Sequence, residues 1–172
     1  MNWLHVDAWK STTAPLTSGT AHERTPQLLN RIIDQFGIET SHRYKETNGA
    51  TKCNIFVWDV TRALGCEIPQ REIVSGRGLV EQNANMMIEW LRTTGQTHGW
   101  SRSDAKLAQY LANEGRPVVV GWLNPKGIGH IAMVVPGTAN GVSIAQAGAT
   151  CFRLGNIERG FGTRTVEFFT HA

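Results

Sequence analysis

Cys53 stands in "TKCNIFVWDV" (51–60), where a polar stretch gives way to an apolar periodic one. The pattern starts a helix there. Cys53 falls in its first turn, where unpaired N–H groups and the helix dipole favour negative charge. A thiol so placed is expected to ionise readily. A cysteine nucleophile also needs a base, and the base needs a group that fixes its tautomer. The sequence has six histidines. His5, His22 and His171 lie near the ends, and His42 and His98 sit in loop-like contexts. His130 opens a predicted strand directly after Gly129. His130, Ala132 and Val134 share one face of that strand, and small Ala132 leaves room for a helix end. If the Cys53 helix packs on that face, thiol and imidazole meet across 77 residues of chain (130 minus 53).

The third group is sought on the next strand. Hairpin register sets residues 146 to 148 beside His130, and Gln146 is the polar side chain among them. A one-residue slip would turn it to the other face, leaving a main-chain carbonyl to orient the imidazole. Plainer readings stand beside each of these. A cysteine on an apolar helix face is commonly a small core residue. A histidine at a strand end is commonly an ordinary hydrogen-bonded one, and Gln146 is equally a surface residue. The residues by themselves support thiol-based acyl transfer and go no further.

The elements that must position this set follow from periodicity and punctuation. "TPQLLNRIIDQFGIE" predicts a helix with Thr25 as N-cap, Pro26 at the first position and Gly37 as the stop. Its apolar face is Leu28, Ile32, Ile33 and Phe36. The Cys53 helix runs from a Thr51 cap to Gly65, with Phe56, Val57, Val60 and Leu64 inward. Residues 66 to 78 read as a loop. "LVEQNANMMIEWLRTTG" reads as a third helix, and "SDAKLAQYLANEG", capped by Ser103, as a fourth. Strands are expected at 117–123, 130–135, 142–147 and 164–169, with turns at "NPKGIG" and "PGTANG". Helices first and an antiparallel sheet afterwards define an α+β fold. Residues 1–24 are expected as an N-terminal arm and 25–172 as a single domain.

Composition narrows the function classes. The chain has 172 residues, 41% hydrophobic and 18% charged, with net charge +3. That mild basicity suits a polyanion such as a cell wall, or simple solubility. No aromatic-plus-basic stripe points to nucleic acid. No apolar run approaches the ~20 residues of a membrane span. "MNWLHVDAWKSTT" has no basic region followed by an apolar one, so cytoplasmic synthesis without an ordinary signal peptide is expected. Cys53, Cys66 and Cys151 are too few for a disulfide framework, although Cys66 and Cys151 are able to pair. No CxxC or HExxH is present, and no metal or cofactor is expected.

"TKCNIFVWDVTRALG" followed by "GIGHIAMVV" resembles the papain-like cysteine peptidases of the NlpC and CHAP type. There the nucleophilic cysteine starts a helix packed on an antiparallel sheet, and the histidine starts the second strand in a G-H-x-A-x-V setting. Gly129, His130, Ala132 and Val134 occupy those places. "NANMMIEWL" (83–91) is also similar to amidase effectors of type VI secretion and to phage lysins. The likeness spans roughly residues 44 to 150. It departs at the nucleophile, where Lys52, Cys53, Asn54 and Ile55 stand in place of D-C-S-G.

The resemblance implies a papain-like fold and cleavage of an amide in the peptide stem of bacterial peptidoglycan through an acyl-enzyme. Cys53, His130 and Gln146 would be catalytic. Tyr44, upstream of the nucleophile, and Asn85 would contact substrate, although packing and helix-surface roles suit them too. Trp58, Trp90, Trp100 and Trp122 are candidates for a groove wall, with core or rim as the alternative. Action in the periplasm or cell wall after export or lysis would follow. An effector would need export machinery and an immunity protein as partners. The alternatives are a papain-like protease, deamidase or acyltransferase acting on a protein, and a non-catalytic wall-binding module.

Overall fold

Val118, Val119 and Val120 are all fully buried, so this stretch is a strand covered on both faces. The computed structural model describes residues 10–18, 20–138 and 141–172. His5, the first nine residues of the expected arm and two residues of the "PGTANG" turn lie outside them. Within them the fold is mixed α and β, built on a six-stranded antiparallel sheet.

The chain opens with α1 (Pro26–Asp34), where the Thr25 side chain accepts the Leu28 N–H at 3.1 Å, followed by α2 (Cys53–Ala63). Next come β1 (Arg71–Val74) and β2 (Gly78–Glu81), a separate hairpin in a region expected as loop and helix start. Gly78 supplies a positive φ of 73° there. The third helix is therefore shorter than its periodicity predicts. α3 (Ala84–Thr93) begins where the Asn83 side chain accepts the Met86 N–H at 3.1 Å. β3 (Trp100–Ser103) precedes α4 (Ala105–Asn113), which Asp104 caps in place of Ser103. Ser103 is paired with Phe168 in the sheet and is not free to cap.

The remaining elements are β4 (Val118–Trp122), β5 (His130–Val134), β6 (Ser143–Gln146), β7 (Phe152–Asn156), α5 (Ile157–Phe161) and β8 (Glu167–His171). Strand order is β3-β8-β4-β5-β6-β7. The edges β3 and β7 escape sequence reading because their polar residues and Gly155 hide the strand pattern. β8 starts later than expected, since Arg164 N–H first closes a turn onto the Phe161 carbonyl.

Alternation along these strands divides the core. Val119, Ile131, Met133, Ala145, Ala147 and Phe169 pack with α1, α2 and α3. Val118, Val120, Ala132, Val134, Ile144 and Phe168 pack with α4 and with Phe161 of α5. Helices thus cover both faces of the sheet. Burying each such aliphatic or aromatic side chain contributes about 1.5–3 kcal/mol before entropy. Gly121 lets α3 approach closely: a Cβ there would stand 2.6 Å from Ile88 Cγ1.

The described part of the N-terminal segment lies against this body. Gln35 accepts the Leu16 N–H at 2.9 Å and donates to its carbonyl at 2.8 Å, and the Ser18 N–H reaches the Ala63 carbonyl. All three cysteines are free, so Cys66 and Cys151 are not bonded. Among the described residues no helix is long and apolar enough to cross a membrane.

Candidate active site

His130 and Gln146 come together through hairpin register. Val134 pairs with Ile144, which puts the even-numbered residues of β5 and β6 on one face. The imidazole Nε2 lies 2.8 Å from Gln146 Oε1. The Gln146 amide donates in turn to the Thr150 carbonyl at 3.1 Å, which fixes its orientation. An acceptor at Nε2 makes that nitrogen the protonated one and leaves Nδ1 with the lone pair. Among the described residues Nδ1 takes no hydrogen bond. The ring leans on Phe161, with centroids 4.9 Å apart. Burial lowers the His130 pKa below its ordinary 6.5; Gln146 opposes this and the Arg164 charge adds to it. The imidazole is therefore neutral at pH 7, as a general base must be.

Cys53 is placed otherwise than expected. Its helix packs on the face bearing Ile131 and Met133, whereas His130 and Ala132 face α4 and α5. Sulfur and imidazole thus approach the start of β5 from opposite sides, and among the described residues no hydrogen bond joins them. The reason is volume. Ile131 and Met133 offer the larger apolar surface to an all-buried helix, while Ala132 admits the small residues Ala108 and Ala112 of α4. The thiol is 2% exposed and interacts with the Ile131, Asn54 and Cys53 N–H groups and the Thr51 hydroxyl.

Burial raises its pKa, and those donors oppose the rise without overcoming it. The expectation of a readily ionised thiol is overturned on magnitude. The loss of hydration inside the core outweighs the helix terminus and the N–H and hydroxyl donors beside the sulfur.

A cavity of about 220 Å³ lies beside His130, and Cys53 is not among its lining residues. His130, Gln146, Gly148 and Thr51 line it, with Arg159 and Gly160 of α5 opposite. Gly160 permits the close approach of α5 to Gln146: a Cβ there would stand 2.5 Å from Gln146 Oε1. Sequence reasoning missed Thr51 as a wall residue and missed Arg159 altogether. The signal for the wall was the glycine in "IAQAG" and the Arg-Gly pair at 159–160, neither readable without knowing that α5 folds back over β6.

Tyr44 and Asn85 do not line this cavity. Tyr44 is 1% exposed, donates its hydroxyl to Asp59 Oδ2 at 2.7 Å and meets Phe56 edge-on. Its packing role prevails because Asp59, itself bound by Arg43 at 2.6 Å, needs the donor. Asn85 spends its amide on the turn before His130. It donates to the Asn124 and Gly127 carbonyls at 2.9 and 2.7 Å and accepts the Asn124 N–H at 2.9 Å. It positions the loop leading to His130. Of the tryptophans, Trp58, Trp90 and Trp100 are buried. Trp122 pairs with His130 in register and carries the Arg164 guanidinium over its ring, 4.5 Å from the centroid.

No protein-family model matches the chain, and no curated protein matches it.

Proposed function

We propose that the protein is a papain-like cysteine hydrolase of the NlpC/CHAP kind that cleaves an amide in the peptide stem of bacterial peptidoglycan. One observation carries the reading: a neutral His130, oriented by Gln146, opens on a cavity whose wall includes Thr51, two residues before Cys53. The Cys53 sulfur lies by the Ile131 N–H, next in sequence to the imidazole. Catalytic contacts are often loose before substrate binds. In this reading the turn at Thr51–Cys53 shifts as substrate enters and carries the sulfur round the end of β5. His130 Nδ1 takes the thiol proton, and the thiolate attacks the carbonyl carbon. The tetrahedral oxyanion is held by backbone N–H groups at the start of α2. The imidazolium gives its proton to the departing amine, leaving an acyl-enzyme that water hydrolyses by the reverse proton path. Net basicity and the motif resemblance support the wall as substrate, reached after export or lysis.

A second reading, a structural thiol in a non-catalytic wall-binding module, is favoured by the 2% exposure of Cys53. Mass spectrometry of muropeptides separates them. Purified sacculi incubated with wild type should show new amine termini, and those incubated with Cys53→Ala should not. Unchanged muropeptides with wild type, together with loss of the melting transition in Cys53→Ala, would establish the structural thiol. Cleavage of proteins with sacculi untouched would move the same chemistry to a protein substrate.

A further inference from the structure

The cavity beside His130 holds one cationic side chain and no acidic one. Arg43 is ion-paired with Asp59, Arg92 and Arg102 with Glu167, and Arg153 with Asp34. Arg159 forms no ion pair among the described residues. Its guanidinium stacks on the Phe152 ring, 4.2 Å from the centroid, and Phe152 is itself a core residue, 1% exposed. Stacking of this kind restricts the fork to one plane and leaves its N–H edge for a planar anion. The Arg159 backbone is fixed too, since its N–H caps onto Asn156 Oδ1 at 3.0 Å. Gly160, next in the chain, brings this turn of α5 against Gln146. Arg159 therefore borders the cavity that His130 serves. At 220 Å³ the cavity falls below the ~300–1,000 Å³ of sites for drug-sized ligands, so it takes a small group.

We infer that Arg159 anchors a carboxylate of the substrate, so that the site selects amides flanked by a residue with a free carboxylate over those whose carboxylate is amidated. A bidentate guanidinium–carboxylate contact supplies both the affinity and the planar geometry, and a carboxamide loses the charge and one acceptor. The placement of the scissile amide rests on the function proposed above; the carboxylate preference itself does not.

The test uses Cys53→Ala protein and stem peptide in two forms, with its carboxylates free and with them converted to carboxamides. Binding is measured by calorimetry at low salt. Cys53→Ser serves the same purpose should the alanine variant lose its melting transition. The free-carboxylate peptide should bind at least about tenfold more tightly, as a charge-assisted pair implies. Adding Arg159→Gln should bring the ratio close to one, and Arg159→Lys should keep part of it. Equal binding of the two peptides, no binding of either, or a preference that survives Arg159→Gln would overturn the inference. Wild-type cleavage of the free-carboxylate peptide is scored separately. An Arg159-dependent preference without cleavage would keep the carboxylate site and refute the hydrolase.

Discussion

At the scale of residues, the site is set by two opposed electrostatic facts. His130 is held neutral by burial and Cys53 is held protonated by burial. The two groups at rest are thus both neutral, without a preformed thiolate. Cys53 should react slowly with iodoacetamide at pH 7 and faster as pH rises past 9, the ordinary thiol value. A stem peptide that acts as substrate should accelerate alkylation at neutral pH if it draws the sulfur to the imidazole. Fast alkylation of free protein at pH 7 would contradict the buried placement. Gly160 offers a second check. A methyl group there collides with Gln146 Oε1 and Ile144 Cδ1. Displacing the group that orients an imidazole by about an ångström costs on the order of 100-fold in rate. In the proposed hydrolase, Gly160→Ala should therefore lower kcat strongly while the circular dichroism spectrum stays unchanged; activity equal to wild type would remove Gln146 from the proposed mechanism.

At the scale of elements, α2 is held by polar contacts as well as by its apolar surround. The 3-10 turn His42–Tyr44 clasps it through Arg43 and Tyr44, both bonded to Asp59. The Arg43 and Asp59 side chains are 10% and 1% exposed. Asp59→Ala leaves a guanidinium and a buried phenol without their acceptor, and should cost about 3–5 kcal/mol in urea unfolding. A loss under 1 kcal/mol would show the clasp to be incidental. The same elements show where sequence reading works. α1, α2 and the strands β4, β5 and β6 were readable because their periodicities are strong; α1 has its expected Thr25 cap, whereas α2 starts from Lys52 without the expected Thr51 side-chain cap. β3 and β7 were not, since an edge strand has a single partner and weak alternation; β3 pairs with the distant β8, and β7 pairs with neighbouring β6 through an irregular register.

At the scale of the whole molecule, titrating groups shifted by burial shape the pH range of stability: His130 and His171 on the acid side, Cys53 and Cys66 on the alkaline side. His130 has a folded pKa below 6.5, so the unfolded chain binds the proton first as pH falls. The stability this group contributes is present above pH 6.5 and is lost as pH drops through the folded value. Cys53 has a folded pKa above 9.0, so its contribution is present below pH 9.0 and is lost on the alkaline side. The melting temperature should peak between these limits. His130→Gln should make the acid limb shallower and Cys53→Ala the alkaline limb, as read by differential scanning calorimetry, with His171 and Cys66 carrying the rest. Limbs that keep their slopes in both variants would assign the pH dependence to other groups.

The sequence by itself determined the α+β class, the central strands, the capped first helix and the candidacy of Cys53, His130 and Gln146, because residue spacing and local backbone chemistry carry that information. Register alone brought His130 to Gln146, and register is legible wherever alternation and a turn coincide. Which face of the sheet receives the Cys53 helix was decided by tertiary packing. Both faces of β5 are apolar, so the choice rested on the volumes of Ile131 and Met133 against Ala132, matched to helices far away in the chain. The burial of Tyr44, the use of Asn85 as a loop anchor and the arrival of Arg159 at the cavity were settled in the same way. Each depends on partners many residues distant, and no local pattern encodes such a meeting.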